Sequence, residues 1–302
     1  MPSQDSKQSG KGTYTIRAMT REELAVAVEW AAAEGWNPGL HDVDCFYAAD
    51  PEGFLMGFLD DEPIASISVV KYSDTFGFLG FYIVKPEFRG QGYGMQIWQA
   101  ALGYLERCNI GLDGVVEQQE NYVKSGFQLA HRNIRYEAIG TSDGESARDL
   151  MTIESPDNVD LVSLSSVPVE DIVAYDERIF LSRRSAFLNC WMSAPQHVAL
   201  GLIREGALVG YGVLRPCQQG YKIGPLFADT SQLAEALFSA LKSRVEHGIP
   251  FYLDVPSVNV AAVDLAKKYH MTSVFETARM YTHKPPELPL NKIFGITTFE
   301  LG

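Results

Sequence analysis

The chain has 302 residues, 46% hydrophobic and 21% charged, with a formal net charge of −13, which suits one large or two ordinary globular domains. The acidic balance argues against nucleic acid as the main partner, because phosphate binding needs a basic surface. No apolar run is long enough for a bilayer and the polar start carries no apolar signal core, so the reading is no membrane and a cytoplasmic location.

Residues 1–12 are polar and read as a disordered tail. Residues 14–19 alternate like a first strand. Thr20 then has the form of a helix N-cap, with Glu23 completing a capping box, and the helix runs through Leu24, Val26, Ala27 and Trp30 to Gly35. Asn37-Pro38-Gly39 is a loop. Residues 53–59 and 63–70 are two strands joined at Asp60-Asp61-Glu62. An apolar strand, 76–84, leads through a glycine-rich turn into a helix over 95–105. A short strand at 112–116, a short helix closing at residues 122–127 and a strand ending near Tyr136 complete the first half. Residues 141–150 read as a linker. The second half repeats the order weakly: a hairpin over 197–214, a strand at 221–227, a helix over 233–241, a strand at 251–256 and a helix over 259–266. Cys45, Cys108, Cys190 and Cys217 are far apart without C-x-x-C spacing, which suggests neither a zinc site nor a disulfide framework.

The turn Arg89-Gly90-Gln91-Gly92-Tyr93-Gly94 carries the most information. Strand, glycine-rich turn and helix together hold a pyrophosphate: backbone N–H groups point into the turn and the helix start adds partial positive charge. Arg89 can add a charge-assisted contact. The spacing fits neither G-x-G-x-x-G nor G-K-[ST]. It resembles the R/Q-x-x-G-x-G/A loop of the GCN5-related N-acetyltransferases (the GNAT family), and Val84-x-Pro86 fits the same signature. The alternative is a glycine-rich turn without a ligand.

The resemblance implies an α+β fold with two tandem GNAT-like domains, each a central mixed, mostly antiparallel sheet flanked by helices. Residues 13–140 form the catalytic domain and 151–302 a degenerate copy that serves substrate recognition. That copy has Leu226-Phe227-Ala228-Asp229 where the glycine loop should be, with Ala266 and His270-Met271 replacing the family's Tyr and Gly-Phe. Glu34-Gly35-Trp36-Asn37-Pro38-Gly39-Leu40-His41-Asp42, the segment 111–116 and Arg279-Met280-Tyr281 resemble the tandem YitH-like group. Acetyl-CoA is the implied co-substrate. Its binding falls on Tyr82, Ile83, Val84 and the loop Arg89, Gly90, Gln91, Gly92, Tyr93 and Gly94. Tyr122 matches the tyrosine that protonates the leaving thiolate; the alternative is a packing tyrosine. Val115 stands where the family has Asn.

Attack on a thioester also needs a neutral amine. Glu117, at the end of its strand, is the favoured base, with Glu120, Asp42, His41 and His131 behind it. Trp36, Asn37, Asp42, Asp254 and Arg279 are the substrate-binding candidates; Asp254 in an apolar strand needs a partner, Arg279 or the substrate amine. The resulting expectation is an acetyl-CoA-dependent N-acetyltransferase acting by direct attack in a ternary complex. Its acceptor is a small primary amine: an amino acid, polyamine or amino sugar. A CoA-binding sensor or scaffold, and a protein or peptide acetyltransferase, are the alternatives. A homodimer is compatible with either.

Overall fold

The computed structural model of the chain describes residues 12–141, 158–180 and 182–302. The expected tail, 1–12, lies outside them except for Gly12, and the expected linker, 141–150, except for Thr141. The first half contains β1 (Tyr14–Ala18), α1 (Arg21–Ala33), α2 (Asp42–Ala49), β2 (Phe54–Leu59), β3 (Glu62–Lys71), β4 (Phe76–Val84), α3 (Tyr93–Tyr104), β5 (Asn109–Val115), α4 (Gln119–Lys124) and β6 (Gln128–Ile139). The second contains β7 (Val159–Ser163), α5 (Val169–Phe180), α6 (Ser185–Ser193), β8 (Val198–Arg204), β9 (Ala207–Pro216), β10 (Tyr221–Ala228), α7 (Ser231–Lys242), β11 (Pro250–Pro256), α8 (Val260–Lys268), β12 (Thr272–Tyr281) and β13 (Ile293–Gly295). No helix among the described residues is long and apolar enough to cross a membrane.

The local signals act as the sequence predicts. Thr20 accepts from the Glu23 backbone, while the Glu23 carboxylate accepts from the Thr20 backbone. Asn259 caps α8 by accepting from Ala262 N–H. Helix α3 buries Ile97, Trp98 and Ala101 against Ile64, Ile67 and Val69 of β3. Helix α7 buries Leu233, Leu237 and Leu241 in the equivalent place in the second half.

The described strands form one sheet, ordered β1-β2-β3-β4-β5-β12-β6-β11-β10-β9-β8-β7. Each half ends on the other half's strand. β12 lies between β5 and β6, and β6 pairs antiparallel with both β11 and β12. Alternation marks a strand but does not name its partner, so this exchange is invisible in the sequence. It makes the backbone of the two halves continuous beside the first half's central strands.

The two halves differ at one decisive point. In each, a parallel pair parts partway along: β4 pairs with β5 only over Phe76–Leu79, and β10 with β11 only over Tyr221–Ile223. In the second half β13 fills the gap, pairing with Leu226 and Phe227 of β10 while Ile296 N–H donates to Asp254 O. In the first half the gap stays open. One cysteine expectation is corrected: Cys45 of α2 and Cys190 of α6 form a disulfide with Cα atoms 5.1 Å apart. They are 145 residues apart, so no local spacing could reveal a pair that only the packing of α2 on α6 creates.

Candidate active site

The open gap is a cleft of about 870 Å³, within the usual range for small-molecule sites. Its shape starts in β4. The β3–β4 register shifts between Ser66 and Ser68, and Phe81 takes φ +46°. A bulge of this kind re-aims backbone groups. Ser66 Oγ holds it by donating to Phe81 O at 3.0 Å. Past the bulge, Tyr82, Ile83 and Val84 line the cleft with main-chain groups free of β5.

The glycine loop closes one end. Gly90 and Gly92 sit at φ +75° and +88°, and Gly92 caps α3. A Cβ at either would meet nothing, so conformation, not space, demands glycine there. Gly94 differs: its Cβ would fall 2.6 Å from the Tyr82 hydroxyl. The first N–H groups of α3 follow directly from the loop, forming an anion site. Arg89 is tethered: its Nε donates to Val84 O at 2.8 Å and it pairs with Glu34. Gln91 bonds back to Glu87 O at 2.9 Å, and Tyr93 packs on Tyr14. Of the expected cofactor residues, Tyr82, Ile83, Val84, Arg89, Gly90, Gly92 and Gly94 line the cleft, and the side chains of Gln91 and Tyr93 brace the loop.

Tyr122 lines the same cleft, stacked on Trp98 with ring centroids 5.8 Å apart. Its ring occupies the space a side chain at Gly114 would need. Burial, with a smaller contribution from Tyr82, pushes its pKa up to about 12. It is therefore a protonated phenol at every working pH. Its hydroxyl has no hydrogen-bond partner among the described residues, which leaves it free to donate. Trp98 Nε1 is buried at the same wall without a partner among the described residues.

The opposite side is built by residues distant in sequence: Trp36, Phe275 and Thr277 of β12, and Phe299 and Glu300 of the segment after β13. Beneath them runs a buried polar row. Asp254 and Arg135 form a bidentate pair at 2.7 and 2.8 Å, and Asp113 pairs with Arg279 and accepts from Asn133 Nδ2 at 2.8 Å. Asp42 binds Arg215 at 2.8 Å and the Gly39 N–H at 2.7 Å. Trp36 O accepts from both Arg135 and Lys222 at 3.1 Å. Burial, then Arg135, pushes Lys222 down to about 8.

Among the expected substrate residues, only Trp36 lines the cleft. Asn37 exchanges hydrogen bonds with Gln219, holding the Trp36 loop to the second half. Asp42 and Asp254 are locked in ion pairs below the floor. Asp254 does need a partner, which is Arg135 instead of Arg279. Arg279 is held by Asp113, over the ring of Phe78. Glu117 and Glu120 are exposed and outside the cleft lining, where Gln118 and Asn121 stand instead. Sequence reading missed Trp98, Phe275, Thr277, Phe299 and Glu300, which no local motif marks.

His131 lies outside the cleft lining. Burial, then Arg279, pushes it down to about 3, and His197 is likewise pushed to about 4 by burial. Unfolded chains take up these protons near pH 6.5 while the folded protein refuses them, so stability falls as pH drops below about 6.5, by up to about 1.4 kcal/mol per pH unit for each histidine. His131→Gln should remove about half of that slope between pH 6 and 4, read from urea midpoints.

Comparison with known proteins bears on the family and the fold. Residues 19–127 match the acetyltransferase (GNAT) family and 172–295 an acetyltransferase (GNAT) domain. The chain is 32% identical to holothin acyltransferase of Pseudoalteromonas sp. (strain SANK 73390), over 96% of this chain and 95% of that protein. It is 25% identical to the uncharacterized N-acetyltransferase YitH of Bacillus subtilis, over 74% and 76%. In fold it is similar to a putative acetyltransferase from Pyrococcus horikoshii, with a TM-score of 0.76, 23% identity and 99% of both chains covered. It is also similar to a tandem GNAT protein from the clavulanic acid biosynthesis pathway, with a TM-score of 0.60, 11% identity and coverage of 91% and 100%.

Proposed function

The chain belongs to the GNAT acetyltransferase family and is an acyltransferase, and we propose that it transfers acetyl from acetyl-CoA to a small primary amine by direct attack in a ternary complex. The observation that carries this reading is the open gap between β4 and β5, bulged at Phe81, ending on the Gly92-capped start of α3 and flanked by Tyr122. These groups fit acetyl-CoA. The loop and the first N–H groups of α3 suit its pyrophosphate, and the free backbone of Tyr82–Val84 suits an extended amide-bearing arm added as a strand. Acetyl-CoA supplies an activated acyl thioester.

The protein's own residues do the rest. Backbone donors near the bulge stabilise the oxyanion, because they are fixed in place before charge develops. Tyr122 gives the departing sulfur its proton. In the second half β13 fills the corresponding gap, which supports one acyl-CoA site per chain. Trp36, Phe275 and Phe299 wall the acceptor side, favouring a compact amine over a protein chain.

The purified protein, given acetyl-CoA and a panel containing holothin, amino acids, polyamines and amino sugars, should release free thiol with at least one amine and yield its acetamide by mass spectrometry. Tight CoA binding with no acceptor turnover across the panel would favour the sensor reading.

A further inference from the structure

Glu300 stands out among the cleft residues. It is only 5% exposed, it lines the cleft, and its carboxylate accepts no hydrogen bond from any described residue. Its charge is balanced only at a distance, by Arg135, Arg215 and Lys222, so its oxygens remain open to a cation that enters the cleft. Its place is fixed by its backbone, whose carbonyl packs so tightly on Gly80 that no Cβ could stand there. Gly80 precedes the Phe81 bulge, so Glu300 sits where the amine must meet the thioester. The aromatic rings of Phe275 and Phe299 lie 6.0 Å apart beside it, with Trp36 on the same wall.

The neighbouring cations are already committed. Arg135 is bidentate to Asp254, Arg215 is bound to Asp42, and Arg89 is tied to Glu34. Lys222 is buried and turned to Trp36 O. None of these four is free to receive a substrate carboxylate beside Glu300; Lys124 also lines the cleft, on α4.

Resting on the acyl-transfer reading above, we infer that Glu300 receives the acceptor's ammonium group and takes its proton, and that the acceptor is a primary amine on a flat apolar body with no carboxylate. The ammonium gives one proton to Glu300. The neutral nitrogen then bonds to the thioester carbonyl carbon, whose π pair moves to oxygen. Collapse re-forms the carbonyl and breaks C–S, and Tyr122 protonates the thiolate. The nitrogen's second proton restores Tyr122, and Glu300 releases its proton to water.

The test uses the full chain with phenethylamine and with phenylalanine, its carboxylate-bearing counterpart. Wild type should prefer phenethylamine by at least about tenfold in kcat/KM. Glu300→Gln should lose about 10²-fold or more of that value at pH 7 and keep acetyl-CoA affinity within about threefold by calorimetry. Its remaining rate should climb about tenfold per pH unit until the amine is neutral, a slope a structural residue would not create. The charged groups around Glu300 are Arg135, Arg215, Lys222, Asp254 and Asp42, so Glu300→Asp, which keeps their balance, should recover part of the activity. Wild-type turnover with an unimpaired Gln variant, a pH-independent loss, or equal use of phenylalanine overturns the inference alone. Acetyl-CoA binding without turnover of any amine overturns the acyl-transfer reading as well.

Discussion

Tyr122→Phe will lower kcat by about 10²- to 10⁴-fold, the span of a lost general acid, and leave acetyl-CoA affinity within about threefold. The separation follows from what the residue touches. Its ring stacks on Trp98 and packs over Gly114, and phenylalanine keeps both contacts. Its hydroxyl bonds to nothing among the described residues, so its loss leaves no orphaned partner. The melting temperature should therefore stay within about 1 °C, which for a chain of this length corresponds to under about 1 kcal/mol. What disappears is a phenol proton at the cleft wall, with a pKa near 12 and no acceptor among the described residues. Tyr82 is nearby, but its hydroxyl lies against Gly94 at the loop end. Stopped-flow thiol release and calorimetry on the same preparation separate the two quantities. An unchanged kcat would make Tyr122 a packing residue.

How much of this was legible in the sequence divides along a physical line. The loop was fully legible: backbone conformation at Gly90 and Gly92 is a local demand that residue type records. The capping box at Thr20 and the cap at Asn259 were legible for the same reason. The place of Tyr122 at the cleft wall was legible through its position in a motif. The acceptor side was not. It is assembled from the Trp36 loop, β12 and the segment after β13, and the exchange of β6 and β12 brings them together. Nothing near Glu300 in sequence marks it, because its role depends on Gly80 some 220 residues earlier. The same exchange explains why Asp254 chose Arg135: the two are cross-strand neighbours in the β6–β11 pairing. Charge alone pointed to Arg279 or the substrate amine and did not single out Arg135. Glu117 illustrates the converse, since a carboxylate at a strand end is conspicuous in sequence but turns out to be solvated.

Gly92→Glu will weaken acetyl-CoA binding by at least about 10²-fold. Two terms contribute, and their sizes differ. A non-glycine residue at φ +88° costs about 1–2 kcal/mol, much of it borne by the free protein as well. A carboxylate at the cap of α3 replaces a favourable anion site with a like charge. At about 4 Å and an effective dielectric near 20 that repulsion is about 4 kcal/mol, or roughly 10³-fold. Charge should dominate, and Gly92→Arg separates the terms because it carries the same backbone strain with the opposite sign. No atom lies within 4 Å of a Cβ there, so neither side chain is refused for lack of space. The arginine variant should bind acetyl-CoA within about tenfold of wild type, and the glutamate defect should shrink as salt rises from 50 mM to 500 mM through screening. Equal losses in both variants would place the pyrophosphate elsewhere than the Arg89–Gly94 turn.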